Sequence, residues 1–293
     1  MLLETAVGDS FGVGYEYNDE ALQKWGGKLD RGYVQHKKHT GLRPGMYSDD
    51  TQMSIAIAEC IVSGEEWTPK NIVKYFLKAF LRDPRDGYAR RFQAFLEDKE
   101  NQTPEGFLKN IKPESEKSGA AMRVGPVGLF AKSIQQCKEM ATVQAEITHK
   151  TKKGVDAAVA AAIMGWLCHH SIEYKKYLPG MIASHVPGYD WKDPWRGKVG
   201  VEGIACVHAA LTAIINCPGQ AEMLEWIVAL RGDVDTVAAI ALSAASSPLM
   251  MGPIKENLPT NLVDMLENGP YGRDYIVELD RKLLDATNEN YSK

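Results

Sequence analysis

The sequence predicts an all-α fold in a single domain over residues 1–293. Three observations predict it. Apolar residues recur at three- and four-residue spacing along most of the chain. Strand-like alternation is scarce, and no βαβ rhythm appears. Alanine-rich stretches such as 157–162 and 238–245 suit helices packed at close range.

The elements follow in order. Met53, Ile57, Cys60 and Ile61 mark one face of a helix that begins near Asp49 and is stopped by Ser63-Gly64. Thr68-Pro69 opens the next, with proline at a first-turn position, and Ile72, Val73, Phe76 and Phe80 carry it on. Further helices are expected around 88–98, 103–110, 126–136 and 138–147. The segment 153–169, with Val155, Val159, Ala162, Ile163, Trp166 and Leu167, is expected at the centre. Helices at 203–216, 219–230, 234–246 and 273–286 complete the set. Two stretches read as irregular: 24–47, rich in Gly, Lys and His, and 179–202, loaded with Gly, Pro and Trp. Long loops inside compact domains are often functional. No repeat of fixed period is visible.

Composition narrows the class. A chain of 293 residues with 44% hydrophobic and 25% charged residues is ordinary for a soluble globular protein. A net charge of -4 without a dense Lys/Arg tract gives no electrostatic footprint for nucleic acid. Cys60, Cys137, Cys168, Cys206 and Cys217 are odd in number and form no CxxC pair, as expected of reduced, mostly buried thiols. The start, MLLETAVGDSFG, lacks a basic n-region, and no apolar run approaches the ~20 residues of a membrane span. The expectation is a cytoplasmic protein, monomeric by default, with neither nucleic acid nor membrane as partner.

The chemistry sits in two acidic clusters far apart in the chain. Ser48-Asp49-Asp50-Thr51 and Asp233-Val234-Asp235-Thr236 each put two carboxylates and a hydroxyl at the first turn of an expected helix. Helix capping explains one acceptor at such a place. It does not explain two carboxylates plus a hydroxyl, twice. If the fold joins the two helix starts, four carboxylates converge, and like charges at close range raise each other's pKa. Hard divalent cations relieve that conflict, and all-oxygen donors favour magnesium or manganese.

Other segments add candidates. Gly8-Asp9-Ser10-Phe11-Gly12-Val13-Gly14-Tyr15-Glu16 sets Glu16 near three glycines that permit tight packing or close approach to a ligand. Glu16 reads as a ligand, a general base or a solvated acid. Ser118-Gly119-Ala120-Ala121-Met122-Arg123-Val124-Gly125 is rich in small residues and suits a pocket wall where backbone meets phosphate, without being a P-loop. His149, after Thr148, is placed to touch a polar ligand or to cap a helix. His169, His170 and His185 show no zinc spacing, and no Ser/His/Asp or Cys/His arrangement emerges.

Taken in order, GDSFGVGYE at 8–16, YSDDTQMSIAIAE at 47–59, SGAAMRVGPVGLF at 118–130, THK at 148–150 and GDVDTVAAIA at 232–241 resemble the ADP-ribosylglycohydrolase family. The resemblance covers most of the chain. It implies a compact, mostly orthogonal helical bundle with two magnesium or manganese ions. Asp49, Asp50, Asp233 and Asp235 match the family's metal carboxylates, and Ser48 and Thr236 its hydroxyl ligands. Glu16 matches a glutamate beside the metals with a base or gating role, and Asp50 and Asp235 share the catalytic assignment. Ser118, Gly119, Ala120, Met122, Arg123, Gly125 and His149 match segments lining the ADP-ribose pocket. Four positions depart from the family pattern: Ser48 stands for Thr, Ser118 for Asn, Arg231 for Gly, and Leu242-Ser243-Ala244 for a Gly/Ala-rich stretch.

The implied reaction is metal-dependent hydrolysis of the glycosidic bond between ADP-ribose and an acceptor. The partner is then an ADP-ribosylated protein, with arginine slightly favoured as acceptor, or a small-molecule conjugate. Two rivals stand beside it. A two-metal phosphohydrolase acting on a nucleotide or sugar phosphate suits the same ions. A silent ADP-ribose-binding relative would keep the fold without turnover.

Overall fold

The computed structural model describes residues 1–171, 174–246 and 254–292. Among these residues the regular structure is helical, and strand pairing is confined to isolated bridges. The chain opens with α1 (Leu2–Val13) and the short α2 (Asp19–Trp25). It crosses an irregular stretch with one 3-10 turn at Leu29–Arg31, then enters α3 (Asp49–Val62) and α4 (Pro69–Arg82). The short helices α5 (Arg90–Glu97), α6 (Pro104–Asn110), α7 (Gly119–Met122) and α8 (Gly125–Phe130) lead to α9 (Ile134–Glu146) and α10 (Lys152–His170). Then come α11 (Tyr174–His185), α12 (Gly203–Asn216), α13 (Gln220–Leu230), α14 (Val234–Ala245), α15 (Thr260–Met265) and α16 (Arg273–Ser292).

Side-chain caps set several of the starts. The Thr68, Thr103, Ser133 and Thr151 hydroxyls each accept from the backbone N–H three residues on, and proline follows Thr68 and Thr103 at the first helical position. The Ser133 cap also explains a boundary that periodicity misplaces. The helices expected at 126–136 and 138–147 break instead between Phe130 and Ile134.

α10 lies at the centre, as its alanine content predicts, against α7, α8, α9, α11, α12 and α14. Apolar residues on all sides of it are buried, including Ala157, Ala160, Ile163 and Met164. α1 runs along α14, and α3 packs on α4 and α16. One hydrophobic core, from Leu2 and Phe11 to Ile276 and Leu283, threads through these helices.

Two regions differ from expectation. Residues 2–13, of which the sequence singles out only 8–13, as part of the glycine motif at 8–16, form α1, buried along nearly its whole length. A helix buried on every side carries no amphipathic period to detect. The stretch 179–202, expected to be irregular throughout, begins inside α11, which carries Pro179 within it. Its later part is irregular and acts as a strap. The Ser118 N–H donates to the Val201 carbonyl (3.0 Å), the Val199 N–H to the Arg231 carbonyl (3.1 Å), and the Asp233 N–H to the Val199 carbonyl (3.2 Å). The strap thus joins the pocket segment at 118 to the acidic loop at 231–233.

Candidate active site

The first acidic cluster is built by a residue the motif reading left unassigned. Asp9, in α1 and fully buried, accepts from Ser48 N–H (2.9 Å) and hydroxyl (2.7 Å). It also accepts from Thr51 N–H (3.0 Å) and hydroxyl (2.6 Å). The start of α3 is therefore capped from another helix. Ser48 adds its own hydroxyl, an acceptor for Asp50 N–H at 3.4 Å. Asp49 and Asp50 have no capping duty left to perform. The only clue to Asp9 in the sequence is its place within the glycine motif.

The second cluster shows the same release from duty. Asp233 occupies the N-cap position of α14, yet its side chain makes no capping hydrogen bond. α1 and α14 come close enough to bring this cluster to Glu16. A Cβ on Gly12 would lie 2.7 Å from the Asp235 nitrogen, and one on Gly8 would lie 2.9 Å from the Ala238 carbonyl oxygen. Such approach is open only to glycine. The result is a triad: carboxylate oxygens of Glu16, Asp233 and Asp235 all lie within 4.8 Å of one another.

The two clusters meet. Thr236, Asp233, Asp49 and Asp9 all bear electrostatically on Asp50. Burial, then Asp49, Asp9 and Asp233, push the Asp50 carboxyl well above its usual range. Burial, then Glu16, Asp233 and Asp50, do the same to Asp235. Asp233 is raised to about 6, by burial first and Glu16 second. Asp49 is raised well above its usual value by burial, Asp9 and Glu16. Asp50, Asp233, Asp235 and Thr236 are all buried. Asp50 Oδ1 and Asp235 Oδ1 are buried and have no hydrogen-bond donor.

A buried carboxylate oxygen without a donor, among others of the same charge, is costly unless a cation faces it. The donors are all oxygen, which fits a hard divalent ion. Among the described residues Cys206 brings a sulfur to the site, and its thiol donates to Asp233 Oδ2 at 3.5 Å. Burial and Asp233 push that thiol's pKa well up, so it stays protonated.

The expected pocket residues fall into two groups. Gly119 and His149 come together, since a Cβ on Gly119 would lie 3.2 Å from His149 Nε2. Ser118 is buried beside them at the start of α7. Arg123, Ala120, Met122 and Gly125 serve the wall. Arg123 is 1% exposed, and it donates to the Gln144 side-chain oxygen (2.6 Å), the Gln144 carbonyl (2.9 Å) and the Thr148 hydroxyl (2.9 Å). Its guanidinium turns inward over the Phe76 ring, 4.5 Å from the centroid, so a phosphate contact is not its part. The Ala120 carbonyl accepts from Gln144 Nε2 (2.9 Å), and the Met122 carbonyl accepts from the Ser54 hydroxyl (3.3 Å). Gly125 packs on Ser243, so Ser243 of the departing Leu242-Ser243-Ala244 stretch is a packing partner.

Arg123 reaches His149 through Thr148. Thr148 Oγ1 accepts from Arg123 and also pairs with His149 Nδ1, 2.7 Å away. The opposite ring nitrogen, Nε2, is buried and has no hydrogen-bond partner. Burial and Arg123 hold the His149 pKa down to about 3, keeping the ring neutral.

Known proteins share the family and the fold of this chain. The ADP-ribosylglycohydrolase family model matches residues 1–293. ADP-ribosylhydrolase ARH3 of Mus musculus is 23% identical over 145 residues, 48% of this chain and 39% of that protein. ADP-ribosylhydrolase ARH3 of Homo sapiens is 26% identical over 122 residues, 40% of this chain and 34% of that protein. The matches therefore span well under half the length of these relatives. A solved structure described as an ADP-ribosylglycohydrolase-related protein complex superposes with a TM-score of 0.74 at 20% identity, covering 98% of this chain and 96% of that one, which shows the shared fold. With its motifs, its fold and the family match in agreement from one end to the other, the chain belongs to the ADP-ribosylglycohydrolase family.

Proposed function

We propose that this protein hydrolyses the glycosidic bond of ADP-ribosylated substrates and releases ADP-ribose, using two magnesium or manganese ions. The observation that carries the reading is the convergence of Asp50 and Thr236 with the Glu16–Asp233–Asp235 triad, including two orphaned buried oxygens. Asp49, Asp50, Asp233, Asp235 and Thr236 would hold the ions. Ser48 joins them, because its hydroxyl gives its proton to Asp9 and keeps a lone pair free. When bound, such ions supply Lewis acidity and a water of lowered pKa.

The chain's own groups do the rest. Glu16, 20% exposed at the edge of the cluster, accepts the proton of the attacking water. Hydroxide adds to the anomeric carbon as the bond to the acceptor breaks, and the acceptor leaves with the proton that Glu16 took from the water. The carbon carries oxocarbenium character at that point, and the surrounding carboxylates stabilise it. His149 offers its unpartnered Nε2 as a hydrogen-bonding group to the ADP-ribosyl moiety, and Gly119 leaves room for it. The acceptor is a protein side chain, with arginine favoured, or a small-molecule conjugate.

The test is a release assay on arginine-linked, serine-linked and small-molecule ADP-ribosyl conjugates, with EDTA and then with magnesium or manganese restored. Intact ADP-ribose is expected from at least one linkage only when metal is present. Release in metal-free enzyme would refute the mechanism. Inorganic phosphate as product would point to a phosphohydrolase, and ADP-ribose binding without turnover of any conjugate to a binding relative.

A further inference from the structure

The irregular stretch after α2 carries a histidine that the proposed reaction has not used. His36 is 4% exposed, and its Nε2 lies 3.4 Å from Glu16 Oε2. The opposite nitrogen is fully committed. His36 Nδ1 accepts from the backbone N–H of Lys38 (3.1 Å) and of His39 (2.7 Å). A backbone N–H can only donate, so Nδ1 carries no proton and the neutral ring must carry it on Nε2. The nitrogen that carries this proton is the one in contact with the Glu16 carboxylate.

The loop that delivers His36 is itself built. Gly14 lets it approach α1, since a Cβ there would lie 2.6 Å from the Val34 carbonyl oxygen. The Gln35 side chain donates to the Leu42 carbonyl (2.7 Å), closing the loop on itself. The Tyr33 hydroxyl donates to the Leu262 carbonyl (2.6 Å), tying the loop's start to α15. The His39 ring packs on His36 with centroids 4.7 Å apart.

We infer that His36 is a positioning residue: its Nε2–H, fixed in that tautomer by the Lys38 and His39 amides, holds the Glu16 carboxylate beside Asp233 and Asp235. Glu16 is otherwise surrounded by like charge, and this donor opposes its drift away from the triad. Its kinetic consequence rests on the proposed reaction, but the tautomer and the contact do not.

The test uses the full chain and two substitutions that separate the two nitrogens. His36→Asn puts a carboxamide oxygen where Nδ1 stands, keeping the loop and losing the donor to Glu16. His36→Gln puts a carboxamide nitrogen where Nε2 stands, keeping the donor and losing the acceptor for the loop. With ADP-ribose release as the readout, kcat of His36→Asn should fall roughly 10–100-fold at near-constant KM, the usual scale for losing a partner that orients a site residue. His36→Gln should retain most of it. The reverse order would make His36 a loop anchor only. Nitrogen-15 imidazole spectra of the metal-free protein give an answer independent of activity. They should show a protonated Nε2 and a bare Nδ1, with the Nε2–H signal shifted by Glu16→Ala. A proton on Nδ1, or an Nε2 signal indifferent to Glu16→Ala, would overturn the inference. A wild-type chain that releases no ADP-ribose would count against the proposed reaction, and the spectra would still decide the role of His36.

Discussion

Asp9 shows how a site can depend on a residue that never touches its substrate. Asp9→Ala would leave the Ser48 and Thr51 amides and hydroxyls without their acceptor inside the protein. The expected cost is about 2–4 kcal/mol, the scale of buried donors left unsatisfied after some relief of like-charge repulsion. Urea unfolding of the magnesium-saturated protein measures it, and an unmoved midpoint would mean that the donors find other acceptors. Asp235 should behave in the opposite way without metal. A carboxyl with a raised folded pKa binds more protons folded than unfolded, so its stabilisation falls as pH rises. Asp235 is raised by burial and Glu16, and Asp233 is raised to about 6. Metal-free Asp235→Asn should therefore melt above wild type at pH 8, with the gain shrinking toward pH 5. The buried histidines, whose lowered pKa values act in the other direction, are common to both proteins and cancel. Equal melting temperatures at pH 8 would show that Asp235 is not strained by its neighbours. Arg231 gives a third case. It sits at φ 66 and ψ 164, a region open essentially to glycine alone, which accounts for the glycine expected there from the family pattern. Its side chain is half exposed, with Asp19 3.9 Å away as its ion-pair partner. Arg231→Gly should stabilise the fold by about 1 kcal/mol, strain relieved less the entropy glycine loses. A lower denaturation midpoint would contradict that. The four aspartates were legible in the sequence because capping could not account for them. Asp9 was not, because one buried acid in a helix has no partner visible along the chain.

Among the helices, the packing of α1 on α14 decides whether the acids meet. Gly8 and Gly12 lie one turn apart on the face of α1 that touches α14. Gly12→Ala would drive a methyl group into the backbone of Val234 and Asp235. Overpacking of this kind costs about 1–3 kcal/mol, and here it also parts Glu16 from Asp233 and Asp235. Calorimetry with manganese should show affinity falling at least about tenfold, on the scale of disturbed ligand orientation. Undiminished affinity would mean that the helices separate without moving the ligands. The elements themselves were unequally visible. α3 and α4 announced themselves through periodicity and Thr68-Pro69. α1 was hidden because it is buried on all sides, and α11 because Pro179 reads as a breaker. The strap at 199–201 lay beyond sequence reasoning, since its meaning comes only from the backbone of residues 118 and 231–233 to which it is bonded.

At the scale of the molecule, no helix among the described residues is long and apolar enough to cross a membrane. The fold class was readable from composition and periodicity. The arrangement of the helices was not, because it rests on close approaches at Gly8, Gly12 and Gly128 that a one-dimensional pattern cannot display. Magnesium or manganese at a hundred times its dissociation constant should stabilise the whole chain by about 2.7 kcal/mol, because an ion held by the folded state alone adds its binding energy to folding. Thermal melts across a metal titration test this, and melts that do not respond would remove the metal centre from the proposal.

The carboxylates that assemble this centre come from the turn after α1, the start of α3 and the start of α14, so the last of them is more than 180 residues beyond the others. A ribosome-bound fragment lacking the last of these would present only half a cage. On the proposed function, ion capture would be a late event in biogenesis, reporting that synthesis and closure are complete. A nick in a surface loop between α3 and α14 that let the two parts drift should release the ions at once, while each part kept much of its helical content.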